Sequence, residues 1–129
     1  MRIFKTRSFA RFAKSEAIGD DKLSAAVAGA EKGLIDADLG GGLIKLRIAR
    51  SGQGKRGGWG GWRSIVAYRS GEWAIFLFGF AKSDRENIDP RQTADFKAAA
   101  QDVLALTEAV LDENVAAQTL LEVAYAEEN

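Results

Sequence analysis

The chain has 129 residues, 47% of them hydrophobic, with 18 Lys+Arg against 18 Asp+Glu and a formal net charge of zero. That size and apolar content suit a single domain, residues 1–129, whose core needs no staples. Cysteine and histidine are both absent. Their absence excludes disulfides, thiolate nucleophiles, thiolate- or imidazole-held zinc and the usual general base at neutral pH, leaving Lys, Arg, Tyr, Ser, Thr and carboxylates for any catalysis.

Residues 2–5 form a short candidate strand. Ser8 is placed to cap a helix with Phe9, Phe12 and Ala13 on one face. Gly19 breaks it, and Asp20 is placed to cap a second helix to about Lys32, with Leu23, Ala26, Val27 and Ala30 at helical spacing and Gly33 as C-terminal cap. Two short helices joined this way need a sheet to lie on.

The sheet follows. Residues 43–49 alternate, with Ile44, Leu46 and Ile48 on one face and Lys45 and Arg47 on the other. Residues 63–69 put Arg63, Ile65, Ala67 and Arg69 on one side, Ser64, Val66 and Tyr68 on the other. Ser70-Gly71 signals a two-residue turn into a strand at 72–81, whose residues 73–80 are apolar on both faces and therefore central and covered twice. An antiparallel meander results. Beyond it, Ser83-Asp84-Arg85-Glu86 has capping-box spacing, and Asp89-Pro90 opens a helix to about Leu111 with Phe96, Val103, Leu106 and Val110 as its stripe. Residues 115–126 fit either a helix or an extended arm. The expected fold is α+β: two N-terminal helices on a small twisted antiparallel sheet, a C-terminal helix, a core at 1–111 and a tail at 112–129.

Charge is distributed unevenly. Residues 1–91 hold 17 Lys+Arg against 10 Asp+Glu, and residues 92–129 hold Lys97 against eight acids. From residue 39 to residue 71 there is no acid, but Lys45, Arg47, Arg50, Lys55, Arg56, Arg63 and Arg69 occur there with most of the glycines. A cationic, glycine-rich hairpin suits a polyanion, and Trp59, Trp62 and Tyr68 interleave with the cations as base-stacking side chains do. Tyr68 also alternates with Val66 and so fits a core position. Gly52-Gln53-Gly54-Lys55-Arg56-Gly57 matches a dinucleotide fingerprint by letter, but a strand follows where a helix is required. Asp36 and Asp38 are either a carboxylate pair for magnesium or simply solvated acids. Arg63 at a strand start, with Lys82 and Arg85 at another strand's end, is suited to a phosphorane-like transition state if the meander brings the three together.

Residues 39–50 (Leu39-Gly40-Gly41-Gly42-Leu43-Ile44-Lys45-Leu46-Arg47-Ile48-Ala49-Arg50), followed by Gly52-Gln53-Gly54-Lys55, Gly61-Trp62-Arg63, Tyr68-Arg69 and the closing stretch 78–88, resemble the RelE/ParE superfamily of type II toxins. The likeness is greatest to its HigB-like, RelE-like branch and spans roughly residues 1–111. One departure is the doubled Gly57-Gly58-Trp59-Gly60-Gly61-Trp62, which changes the loop length around Lys55 and Arg56. With no apolar run long enough for a signal peptide or a membrane span, a cytoplasmic chain is expected; the resemblance implies a ribosome-dependent mRNA endoribonuclease that needs neither metal nor cofactor, because the message's own 2′-OH attacks the adjacent phosphate. It implies Arg63, Lys82, Lys55 and Arg85 as catalytic residues and Arg56 and Tyr68 as RNA contacts, which Lys45, Arg47, Arg50, Trp59 and Arg69 of the basic, aromatic-bearing hairpin are expected to join. It further implies a helix-turn-helix, HigA-like antitoxin partner, and the ribosomal A site with its mRNA as target. Two alternatives remain: a ParE-like gyrase inhibitor without enzymatic activity, and a degenerate member that only binds RNA or antitoxin.

Overall fold

A strand that is apolar at every position, as residues 73–81 are, has no face to give to water. The computed structural model describes residues 1–49, 61–81 and 89–125. Its strands are β1 (Arg2–Thr6), β2 (Ala37–Gly40), β3 (Leu43–Ile48), β4 (Trp62–Arg69), β5 (Trp73–Ala81) and β6 (Leu120–Val123). Its helices are α1 (Arg7–Ser15), α2 (Asp20–Glu31), α3 (Pro90–Leu104) and α4 (Glu108–Ala116). Among the described residues the strands form one sheet in the order β2-β3-β4-β5-β1-β6, so β5 is internal. Phe9, Ala13, Leu23 and Val27 of α1 and α2 cover one face over Ile44, Leu46, Val66 and Phe76. Ala100 and Leu111 of α3 and α4 cover the other over Leu43, Ile65, Ala67 and Ile75.

The meander β3-β4-β5 forms as the alternation predicts, from Leu43↔Ala67 to Ile48↔Trp62 and from Arg69↔Trp73 to Trp62↔Ala81. The sheet as a whole is mixed rather than antiparallel, because β1 runs parallel to β5, with Ile3↔Ala74 and Phe4↔Ile75. Parallel neighbours need a crossover in place of a hairpin, and the two helices and three strands between them supply it. The β4–β5 loop holds three residues, not two. Glu72 N–H bonds Arg69 O at 2.9 Å, and Gly71 sits at φ +77°, the position of a four-residue turn that asks for glycine.

A β-bulge reshapes β5. Ile65 pairs with Phe78 but Val66 with Phe76, so Leu77 is the extra residue. Past it the alternation is inverted. Phe78 and Phe80 turn toward α3, where Phe78 meets Phe96 at 5.3 Å between ring centroids, and Gly79 turns toward α1. A Cβ on Gly79 would overlap the Phe12 ring and lie 3.0 Å from Phe9 Cε1.

Helix ends correct the sequence reading in three places. Thr6, not Ser8, caps α1, accepting from Phe9 N–H at 3.2 Å, because β1 runs straight into the helix. Gly19 is the N-cap of α2, and Asp20 and Asp21 fall inside its first turn, where they favour the positive end of the helix dipole. Asp89 caps α3 as expected, but that helix stops at Leu104, and Thr107 caps a separate α4 by accepting from Val110 N–H at 3.3 Å. The region open between helix and arm contains both: α4 ends at Ala116, and β6 pairs antiparallel with β1. Arg2 fastens this end, its Nη2 lying 2.8 Å from Asp112 and 2.9 Å from Glu122 and its Nη1 3.4 Å from Glu108. The hydrogen bonds it donates to Glu122 and then to Asp112 hold Arg2 above its ordinary pKa.

Candidate nucleic-acid interface

Directly opposed residues of an antiparallel pair share a face. The β3–β4 register therefore places Lys45 beside Ile65 and Arg47 beside Arg63 on the face that carries α3. Apolar residues at the Leu43/Ala67 end receive the helix, and cations occupy the other end. Like charges directly opposed across a ladder destabilise it, so Arg47 against Arg63 calls for a counter-charge. Asp36, just ahead of β2, supplies one. Its Oδ2 lies 3.2 Å from Arg63 Nε and 3.4 Å from Lys45 Nζ, and its backbone N–H donates to Lys45 O at 2.9 Å.

Burial makes that carboxylate important. The side chains of Arg63 and Lys45 are only 11% and 12% exposed, against 28% for Asp36. A nearly buried cation without a counter-charge costs several kcal/mol. Arg47 is exposed, and with Ala49 it lines an open groove of about 640 Å³ that continues along Ala26 and Gly29 of α2 to Leu34 and Asp36. Two further bonds fix the start of β4: Trp62 Nε1–H to Glu16 Oε1 at 2.9 Å, and Ser64 Oγ–H to Leu46 O at 3.2 Å.

Lys45, Arg47 and Arg63 are thus brought together. Tyr68 lies on the opposite face, packed against the α1/α2 core, and its hydroxyl donates to Glu31 Oε2. Burial, and then that bond, push its pKa up to about 12. Burial would raise the Glu31 carboxyl, but the bonds from Tyr68, Gly71 N–H and Ser70 outweigh it and hold the group below the usual carboxylate range. Arg69 ends β4 about 20 Å from Arg63 at the usual strand rise, paired with Glu72 at 3.0 Å and 5.9 Å from the centroid of the Trp73 ring. Lys55, Arg56, Arg50, Trp59, Lys82, Arg85 and the 83–86 capping box lie outside the described residues.

Asp36, Glu16 and Glu31 carry structure that sequence reasoning did not assign. A signal for Asp36 was present, since Asp36 and Asp38 are the last acids before the acid-free stretch and so the nearest in sequence to its cations.

A family model described as the RelE toxin of the RelE/RelB toxin–antitoxin system matches residues 1–123. The chain belongs to the RelE toxin family. The match runs to the last residue of β6 and so takes in the end of α4 and the whole of β6, beyond the roughly 1–111 that the sequence resemblance spans. No curated protein matches the chain. Membership of the RelE family makes this a toxin and implies an antitoxin partner. Among the described residues no helix is long and apolar enough to cross a membrane.

Proposed function

We propose that this RelE-family toxin is a ribosome-dependent mRNA endoribonuclease acting in the cytoplasm, restrained by a HigA-like helix-turn-helix antitoxin. The observation that carries the reading is the cluster of Lys45, Arg47 and Arg63 on one sheet face, three cations of which two share the carboxylate of Asp36. Such a face suits a phosphodiester. In the reaction proposed, the ribose 2′-OH loses its proton to a base and its oxygen bonds to the adjacent phosphorus. The P–O5′ bond then breaks, the leaving 5′-oxygen takes up a proton, and the products are a 2′,3′-cyclic phosphate and a 5′-hydroxyl. Arg63 stabilises the phosphorane's added charge, for which a guanidinium is suited by its planar fork. Lys55, Lys82 and Arg85 join it in the proposed catalytic set through the sequence resemblance, and Arg47 and Lys45 hold the backbone of the message.

Induced expression should arrest growth, and primer extension should show discrete breaks within codons. Arg63→Ala should slow cleavage about 10²–10³-fold, the range for losing one transition-state donor, while circular dichroism reports an intact fold. A folded Arg63→Ala variant of undiminished toxicity would refute the assignment. Supercoiling defects without mRNA breaks would establish the gyrase-inhibitor alternative instead, and RNA binding without any effect on growth the degenerate one.

A further inference from the structure

Asp36 contacts both buried cations of the cluster through a single oxygen, and three features suit that arrangement to more than charge balance. The first is how firmly Asp36 is held. Its backbone N–H bonds Lys45 O at 2.9 Å while its Oδ2 meets Lys45 Nζ at 3.4 Å, so one β3 residue grips it at main chain and side chain. The second is where it grips Arg63. The contact is with Nε, the guanidinium nitrogen nearest the chain, at 3.2 Å. The Nε–H bond lies in the guanidinium plane, so a carboxylate that accepts it restrains the rotation of that plane. The third is position. Asp36 lines the same open groove as Arg47, the exposed cross-strand partner of Arg63, so the carboxylate stands where an incoming polyanion would pass.

A carboxylate facing a phosphate chain opposes binding, and in a site built only to bind RNA its presence is a handicap. We infer that Asp36 is a positioning residue: it sets the plane of the Arg63 guanidinium for the transition state and weakens binding of the ground-state message in doing so. This rests on the nuclease reading above. It separates two quantities that a merely structural ion pair would move together.

The test uses the purified full chain with programmed ribosomes under single-turnover conditions. Affinity is read separately with a message carrying 2′-deoxyribose at the scissile nucleotide, which has no attacking hydroxyl. Asp36→Asn keeps the shape and removes the charge. Cleavage should slow about tenfold or more, as small misplacements of catalytic groups do, while affinity for the deoxy message should hold or tighten by about twofold to fivefold at low salt. In an Arg63→Ala background the same substitution should leave the residual rate within about twofold, because the group it orients is gone. Asp36→Glu retains the charge but is one methylene longer; it should cleave slowly without the gain in affinity, and it decides the matter if the Asn variant does not fold. A cleavage rate equal to wild type in folded Asp36→Asn, or an equal slowing with and without Arg63, overturns the inference and leaves the nuclease reading standing. A wild-type chain that binds but cuts no message overturns both.

Discussion

Replacing Glu31 with Ala should destabilise the protein by about 2–3 kcal/mol. Glu31 is the last residue of α2, and its carboxylate receives the Tyr68 hydroxyl, Ser70 Oγ–H at 3.2 Å and Gly71 N–H at 3.1 Å. It therefore ties a helix end to the β4–β5 turn. A hydrogen bond to a charged acceptor contributes about 1.5 kcal/mol or more when sheltered and nearer 0.5 when exposed. Tyr68 is the sheltered partner and the two turn groups are exposed, and the sum gives the estimate. At about 4 °C per kcal/mol for a chain of this size, the melting temperature falls by about 8–12 °C. Urea unfolding followed by the fluorescence of buried Trp62 and Trp73 measures the loss. A double-mutant cycle with Tyr68→Phe should return a coupling of about 1 kcal/mol. The pH dependence supplies an independent check. The carboxyl lies below its ordinary 4.5 in the folded state, so its contribution is complete above pH 4.5 and disappears as pH falls through the folded value. Glu31→Gln should flatten that acid limb. Additive losses in the cycle, or an acid limb unchanged in Glu31→Gln, would refute the account.

At the alkaline end, Tyr68 has a folded value of about 12 against an ordinary 10, so the stability linked to its neutral phenol holds below pH 10 and is lost between pH 10 and 12. Absorbance titration should show one late phenol, absent in Tyr68→Phe. Gly79→Ala should cost about 1–3 kcal/mol by pressing a methyl into the Phe12 ring, and a denaturant midpoint unchanged from wild type would show that α1 sits farther from β5. Arg2→Ala removes the cation shared by Glu108, Asp112 and Glu122. Amide exchange in β6 should accelerate while that in β4 stays protected, and added salt should narrow the difference from wild type.

Strand periodicity made the centre of the fold legible. The both-faced apolar run of β5 announced an internal strand, and the alternation of β3 assigned Lys45 and Arg47 to one face. Pairings between distant segments leave no such trace. Nothing local in residues 2–5 says whether their neighbours run parallel or antiparallel, and residues 120–123 fit a helix as well as an arm until β1 gives them a partner. Long-range ion pairs are equally silent: Asp36 and Arg63 are 27 positions apart, and only the β2–β3–β4 register makes them neighbours. Nor did alternation reveal the bulge at Leu77, because both faces of β5 are apolar and a change of parity leaves no polar residue out of place.

The place of β1 in the sheet also affects how the chain comes together. Its two edges pair with residues 73–76 and 120–123, so a polypeptide made from its N-terminus carries Ile3 and Phe4, both fully inaccessible once folded, for most of its length before either edge can be satisfied. Pairings of such sequence separation place folding among the slower topologies and lengthen the time an unpaired apolar strand is open to wrong partners. A growing chain cannot complete this sheet early; β1 gains its second neighbour only when β6 has been made.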